Sequence, residues 1–368
     1  MPIGQTLSWT VPTAPARMPS EPYRVGLVGC GEIGRRRAAG FRELPDTELV
    51  AVSDINQDAA ADAAAEFDVP NHYGDPEELF AAEDLDIVQV STWHGTHASI
   101  TIEAAEAGVP GIICEKPMCT SLGEAKDMVD AAERNDVKLT VKHGRRYRPA
   151  NVRARELIAE GAIGEPRVLL ARTDAGLLNW GTHLINQAQY VLGDPEIAWV
   201  MGQVERKTDR HERREPIEDR CAAQVAFENG ARLSFECDLP GPETAEYANS
   251  LQIFGSAGQL IPRDGLTVLD ADGQRVEEPA GRESSDPHVT DLIAWMEGER
   301  EDHRCAGHHA IRTVELMMSI YESLRTRGVV EAPLTTRANP LELMIERGDL
   351  PVEHPGAYDI RIPYESVR

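Results

Sequence analysis

Between residues 23 and 147, short apolar runs alternate with longer Ala-rich amphipathic stretches. The apolar runs fall at 24–28, 48–53, 86–90, 111–114 and 138–141, and the helical patterns at 57–67, 97–107 and 122–135. Unbroken β-branched and aliphatic runs suit strands buried on both faces, and strand–helix alternation is how parallel strands are joined. A parallel sheet covered by helices on both sides is predicted. After Pro149 the rhythm changes. Helical patterns at 151–159 and 184–192 precede strand-like runs at 197–204, 220–227, 231–237 and 250–254, with turn residues such as Glu228-Asn229-Gly230 between them. Consecutive strands linked by short turns predict antiparallel pairing. A last amphipathic helix at 307–326 stops before Gly328. The expected organisation is an α/β domain at 23–148 and an α+β domain with a large, mostly antiparallel sheet at 149–330. A Pro-rich arm (1–22) and an extension (331–368) flank them.

Composition adds limits. The chain has 368 residues, 41% of them hydrophobic, enough for two cores and too many for a disordered or fibrous protein. No run of about 18 uncharged apolar residues occurs, and the first 22 residues hold five prolines and no signal-peptide core. The expectation is a cytoplasmic chain that does not enter membranes. The net charge of −25 argues against nucleic acid as a partner. Five of the basic residues are Lys and the rest Arg. That suits a salt-rich cell interior; a genome biased toward Arg codons is the alternative. Six cysteines without a Cys-x-x-Cys pair read as reduced structural thiols. Cys305, His308 and His309 are read as a solvated helix start rather than a metal site, and no metal is expected.

The first candidate chemistry is Gly29-Cys30-Gly31-Glu32-Ile33-Gly34, which follows the strand at 24–28 and opens a helix. In that setting Gly29 makes the tight turn, Gly31 lets the backbone approach a pyrophosphate and Gly34 brings helix and strand together. The helix start, at Glu32 and Ile33, supplies N–H donors to the phosphates. Asp54 ends the second strand twenty residues after Gly34, where an acid accepts the ribose hydroxyls. This is a Rossmann dinucleotide-binding pattern, and Asp54 favours NAD over NADP by repelling a 2′-phosphate. Arg35, Arg36 and Arg37 are the counter-argument, since one of them can reach toward such a phosphate. Two further segments close strands at the ligand-binding carboxyl edge: Thr92-Trp93-His94-Gly95-Thr96-His97 and Glu115-Lys116-Pro117. A third, from Gly176 through Asn179-Trp180-Gly181-Thr182-His183, leads into a helix of the second domain. A lysine and a histidine converging beside a nicotinamide can supply a base and stabilise a developing alkoxide. Trp180 can stack on a sugar face.

The order and spacing of these motifs resemble the glucose–fructose oxidoreductase / inositol dehydrogenase / rhizopine-catabolism (Gfo/Idh/MocA) family over residues 23 to 330. The resemblance implies that Lys116 holds the substrate hydroxyl and assists its deprotonation. It also implies that Pro117 is preceded by a cis bond and that Glu115 lies near the cofactor riboses. His183 then accepts the proton, and Arg145 and Arg146 form a link beside the nicotinamide. Thr92, His94 and His97 are read with Glu115, Lys116 and Arg146 as lining the cofactor. Gly255-Ser256-Ala257-Gly258 resembles a turn in the large sheet, which commonly forms the subunit interface in the family, so a homodimer or homotetramer is expected. Two departures stand out. Asn179 and Asn186 occupy positions where the family carries Asp, and Trp93 replaces a usual Pro. Asn179 is expected to orient the substrate or the His183 ring. The leading expectation is an NAD-dependent dehydrogenase acting on a secondary alcohol of a sugar or cyclitol. The alternatives are a sugar-modifying glycosidase or epimerase that retains NAD, and a non-catalytic NAD-binding regulator.

Overall fold

The computed structural model describes residues 7–9, 21–237, 249–279 and 286–356. Of the prolines of the arm and extension, Pro2, Pro12, Pro15, Pro19 and Pro363 lie outside the described residues. A six-stranded, wholly parallel sheet runs in the order Asn71–Tyr73, Thr47–Ser53, Tyr23–Val28, Ile87–Val90, Gly111–Cys114, Lys138–Val141. Ile87–Val90 and Gly111–Cys114 are buried at every position, the consequence of helices on both faces. Local signals set the helix starts. Asn56 caps Gln57–Phe67 through the Asp58 and Ala59 amides, and Ser121 and Glu124 form a capping box on Leu122–Arg134; each cap stabilises by about 1 kcal/mol. The edge strand Asn71–Tyr73 and the helix Pro76–Ala82 add to the pattern read from sequence.

The second sheet has ten strands. Its order is Leu7–Trp9, Gly273–Pro279, Leu266–Asp270, Gln259–Pro262, Ser250–Gly255, Pro166–Arg172, Arg232–Cys237, Arg220–Phe227, Ile197–Glu205, Val330–Glu331. Most pairings are antiparallel, as expected. Pro166–Arg172 runs parallel to Arg232–Cys237, and Leu7–Trp9 runs parallel to Gly273–Pro279. Gly255 N–H donates to Gly258 O at 2.9 Å, closing the turn anticipated there. Helix Gly307–Thr326 crosses one face so closely that a Cβ on Gly202 would stand 2.8 Å from Ile320. The registers put Val168, Leu170, Met201, Leu269 and Val276 together on the opposite face, and all five are exposed.

The extension folds back across its own chain. Arg337 O accepts from Gly123 N–H at 2.7 Å, and the helix Pro340–Glu346 buries Leu341 and Met344 almost completely. At about 1.5–3 kcal/mol for each such side chain, docking outweighs fraying. All six cysteines are buried. Cys305 Sγ faces His143 O, while His308 and His309 turn to Asp302 instead. Asp302, His308 and His309 bring their ligand atoms within 4.8 Å of one another, a grouping that joins the acid rather than the thiol to the two histidines. Among the described residues no helix is long and apolar enough to cross a membrane.

Candidate functional site

Two strand ends of the parallel sheet build one side of the site. Gly111–Cys114 runs directly into Glu115, Lys116 and Pro117, and the Lys116–Pro117 bond is cis. Ile87–Val90 runs into Ser91, Thr92 and Trp93. His97 joins the two loops: its Nδ1 lies 2.8 Å from Pro117 O and its Nε2 3.1 Å from Thr92 O. Both ring nitrogens thus face backbone carbonyls, of which the neutral ring that burial favours can donate to one. His97 therefore shapes the cofactor edge from behind, a correction to its reading as a lining residue. Thr92 Oγ1 accepts from Thr96 Oγ1 at 2.8 Å.

The dinucleotide loop meets its geometric requirements. Gly29 has φ +97°, in the left-handed region, and a Cβ there would meet Ser91 backbone at 2.7 Å. A Cβ on Gly34 would lie 1.8 Å from Gly29 O, whereas one on Gly31 would meet nothing within 4 Å. Helix and strand therefore touch at Gly34, and the space over Gly31 is open to a phosphate. Helix Glu32–Arg42 has no side-chain cap, which leaves its first-turn amides to an anion. The Asp54 carboxylate accepts from Cys30 N–H (2.7 Å) and Asn56 N–H (2.8 Å), so it braces the loop from the ribose side. Beside it Ile55 is 94% exposed, an apolar surface for a base to lie on. These residues fit a dinucleotide.

The three neighbouring arginines have other partners. Arg35 pairs with Glu66, Arg36 with Glu32, and Arg37 Nε donates to Glu115 Oε1 at 2.6 Å. Arg146 is also committed. Its guanidinium, 1% exposed, pairs with Asp194 and donates to Asn186 Oδ1 (2.8 Å) and Arg304 O (2.8 Å). It pins the interdomain link: four of its five N–H donors are spent on Asn186, Asp194 and Arg304 O, and its burial takes it away from the cofactor role expected of it. Asn186 in turn donates to Thr313 Oγ1. Accepting from a guanidinium while donating to a hydroxyl is something an amide can do and a carboxylate cannot.

The other side of the site comes from the second sheet. Leu177–Gly181 forms a single π-helical turn before helix Thr182–Val191, anchored where buried Glu218 accepts from Leu177 N–H at 2.7 Å and from the Tyr321 hydroxyl at 2.6 Å. That turn carries Asn179 to Lys116. Lys116 Nζ donates to Asn179 Oδ1 (2.7 Å) and to Asn179 O (3.0 Å). Asn179 Nδ2 donates to Glu212 Oε1. Asn179 thus faces Lys116 rather than the His183 ring, which corrects one of the two roles expected of it, that of orienting the ring. Its amide stands between an ammonium and a carboxylate, a place that requires one acceptor and one donor. The acid missing at 179 is supplied through space by Glu212.

Burial pushes the Lys116 ammonium down to about 8, with Arg213 and Arg145 lowering it further and Glu115 and Glu212 opposing them. Burial also holds His183 well below the usual range, reinforced by Lys116, Arg145, His143 and Arg148. Its Nδ1 is buried without a partner, and its ring lies edge-on to Trp180, centroids 5.9 Å apart. Trp180 and Trp93, each 41% exposed, stand at the rim. Sequence reasoning passed over one element: the hairpin of His211–Glu212 with Glu215–Pro216. It delivers Glu212 to Asn179, and Arg213 Nη1 to His94 Nε2 at 2.8 Å.

Fold and site together define a Rossmann-type oxidoreductase with a second, substrate-side sheet. Residues 23–143 match the oxidoreductase family with an NAD-binding Rossmann fold, and residues 172–261 match the GFO/IDH/MocA C-terminal domain; the chain belongs to the Gfo/Idh/MocA family. It is 26% identical to D-apiose dehydrogenase of Paraburkholderia graminis, covering 70% of this chain and 72% of the relative. To myo-inositol 2-dehydrogenase of Thermotoga maritima it is also 26% identical, over 68% of this chain and 80% of the relative. Levoglucosan dehydrogenase in complex with NADH and levoglucosan shares the fold, with a TM-score of 0.73 and 24% identity over 85% of this chain and all of that one.

Proposed function

We propose that the protein is an NAD-dependent dehydrogenase oxidising a secondary alcohol of a sugar or cyclitol. The observation that carries this reading is the Lys116 ammonium, held by Asn179 opposite His183 at the edge that also forms the dinucleotide loop. NAD, when bound, supplies the hydride acceptor. The chain's own residues handle the proton. Two of the three Lys116 N–H donors are used on Asn179, and the third points the ammonium at a substrate oxygen, where it stabilises negative charge as the hydroxyl proton departs. His183, neutral at physiological pH, accepts that proton. With the hydroxyl proton on His183, the electron pair of the adjacent C–H bond would be free to leave as hydride to NAD, which balances a two-electron oxidation of the alcohol. Trp180 and Trp93 flank the ring. Relatives acting on apiose and inositol support a polyol substrate. Purified protein with NAD and a panel of monosaccharides, sugar acids and inositols should accumulate NADH. Sugar rearranged or released with no net NADH would instead mark an enzyme that retains its cofactor.

The cofactor is NAD rather than NADP, because Arg35, Arg36 and Arg37 are engaged in ion pairs and Asp54 repels a 2′-phosphate. Asp54→Ala is expected to erode the preference for NAD over NADP, measured as the ratio of kcat/KM values; an unchanged ratio overturns the assignment. The exposed apolar row Val168, Leu170, Met201, Leu269 and Val276 is proposed to pair with a second copy, since a monomer seldom presents such a patch to water. Light scattering should give at least a dimer, and Leu170→Glu should reduce its mass toward the monomer.

A further inference from the structure

In a chain with 62 acidic residues, the cations around Lys116 are short of carboxylates. Arg145, Arg148, Arg213 and Arg214 make no ion pair among the described residues. Several arginines elsewhere are ion-paired, as in Arg153–Glu277, Arg275–Asp270 and Arg325–Glu322; what sets these four apart is their place around Lys116 and the hairpin tip. Arg145 is only 8% exposed, and its one side-chain hydrogen bond runs from Nη1 to the neutral Gln187 Oε1 at 3.0 Å. Most of that five-donor fork thus has no protein acceptor, and its remaining nitrogens open onto accessible space where a ligand can meet them. Arg213 gives one N–H to His94, and Arg214 lies over the Trp93 ring at 5.3 Å. Both sit at the two-residue tip of the hairpin with φ of +52° and +74°, where Asn or Gly would be less strained. Nearby acids cancel only part of this charge. Glu115 is matched by Arg37, while Glu212, hydrogen-bonded to the neutral Asn179, keeps its charge and offsets one of the four cations. The charges felt at His183 are cationic, from Lys116, Arg145 and Arg148, whereas at Lys116 Glu115 and Glu212 oppose Arg213 and Arg145.

The geometry points to a substrate that is a polyhydroxy carboxylate, a uronic or aldonic acid, whose carboxylate is received by Arg213 and Arg145 while its hydroxyl meets Lys116. This rests on the dehydrogenase reading above and narrows it. The planar guanidinium fork suits a carboxylate, with two parallel N–H···O bonds. Pyrophosphate is a poor rival occupant, because its place is the loop around Gly31, on the first sheet. A neutral sugar would leave the Arg145 fork unfilled.

The test compares matched pairs with NAD: D-glucuronate against D-glucose, D-galacturonate against D-galactose, and D-gluconate against myo-inositol. The acid of at least one pair is expected to show a kcat/KM about 10- to 100-fold above its neutral counterpart, the scale of a hydrogen-bonded charge. Arg213→Gln should collapse that ratio toward one, chiefly through KM, and raised salt should lower it. Arg145→Gln, at the other arginine of the pair, repeats the measurement should the first variant lose its thermal transition. Neutral sugars oxidised as well as their acids would overturn the inference and leave the dehydrogenase reading standing. So would a variant that loses NADH affinity while its ratio holds, because the cations would then serve the cofactor. If no compound reduces NAD, the dehydrogenase reading fails, and calorimetry of the same pairs on NADH-loaded protein decides the charge question. Tighter binding of the acid supports it, and equal affinity overturns it.

Discussion

Lys116→Met should lower kcat/KM by about two orders of magnitude or more, the usual contribution of positioned acid–base and charge stabilisation. The methionine keeps the length and apolar stem but removes the cation hydrogen-bonded to Asn179. NADH affinity, followed by fluorescence, should change little, because the dinucleotide loop is a separate part of the sheet edge. If affinity collapses while turnover survives, Lys116 serves binding. The pH profile gives an independent reading. With Lys116 brought to about 8, its ammonium dominates at neutral pH and is lost as pH rises through that value. An activity that needs the ammonium therefore falls on the alkaline side near 8. His183, held well below its usual range, stays neutral, so the acidic limb should lie below that of an ordinary histidine. In the Lys116→Met variant the alkaline limb should disappear.

Gly34→Ala should abolish NADH binding. Its Cβ would stand 1.8 Å from Gly29 O, a backbone atom that cannot rotate away, so the loop must open or the helix must lift. Two companion substitutions separate sterics at the loop from general damage. Gly31→Ala meets nothing within 4 Å and should leave the thermal midpoint alone while still weakening NADH, because the new methyl occupies the open space over the loop. Gly40→Ala, inside the same helix and equally unobstructed, should bind normally and gain up to about 1 kcal/mol in stability from its higher helix propensity. Retained NADH affinity in Gly34→Ala would mean that the loop is not where the dinucleotide lies.

What could be read from sequence is what is encoded locally. The Gly-rich loop, Asp54 and Lys116 each lie at a strand end, and the apolar runs fix those ends. Other parts are encoded by partners far away in the chain. Pro166–Arg172 is central to the large sheet, yet Val168 and Leu170 on its open face are as apolar as Leu169 and Ala171 on its buried one, so no alternation marks it. Glu212-Arg213-Arg214-Glu215 reads as a solvated charge run, and only its placement against Asn179 and His94 gives it meaning. Arg146 and His97 show the opposite failure. They stand beside motif residues in sequence, but their side chains are spent on Asp194, Pro117 O and Thr92 O. Asn179 looked like a lost charge because its partner, Glu212, is 33 positions away.

The small His211–Pro216 hairpin is joined to neither large sheet by strand pairing. Lys116, Asn179 and His183, the groups proposed to handle the proton, belong to the frame of sheet edge and π-turn, whereas two of the four arginines without an ion pair belong to this minor appendage. The two can therefore drift independently in evolution. Exchanging a few side chains at the hairpin tip would re-address the enzyme to a differently charged ring and leave the chemistry in place, so descendants of one ancestral catalyst can spread over many substrates.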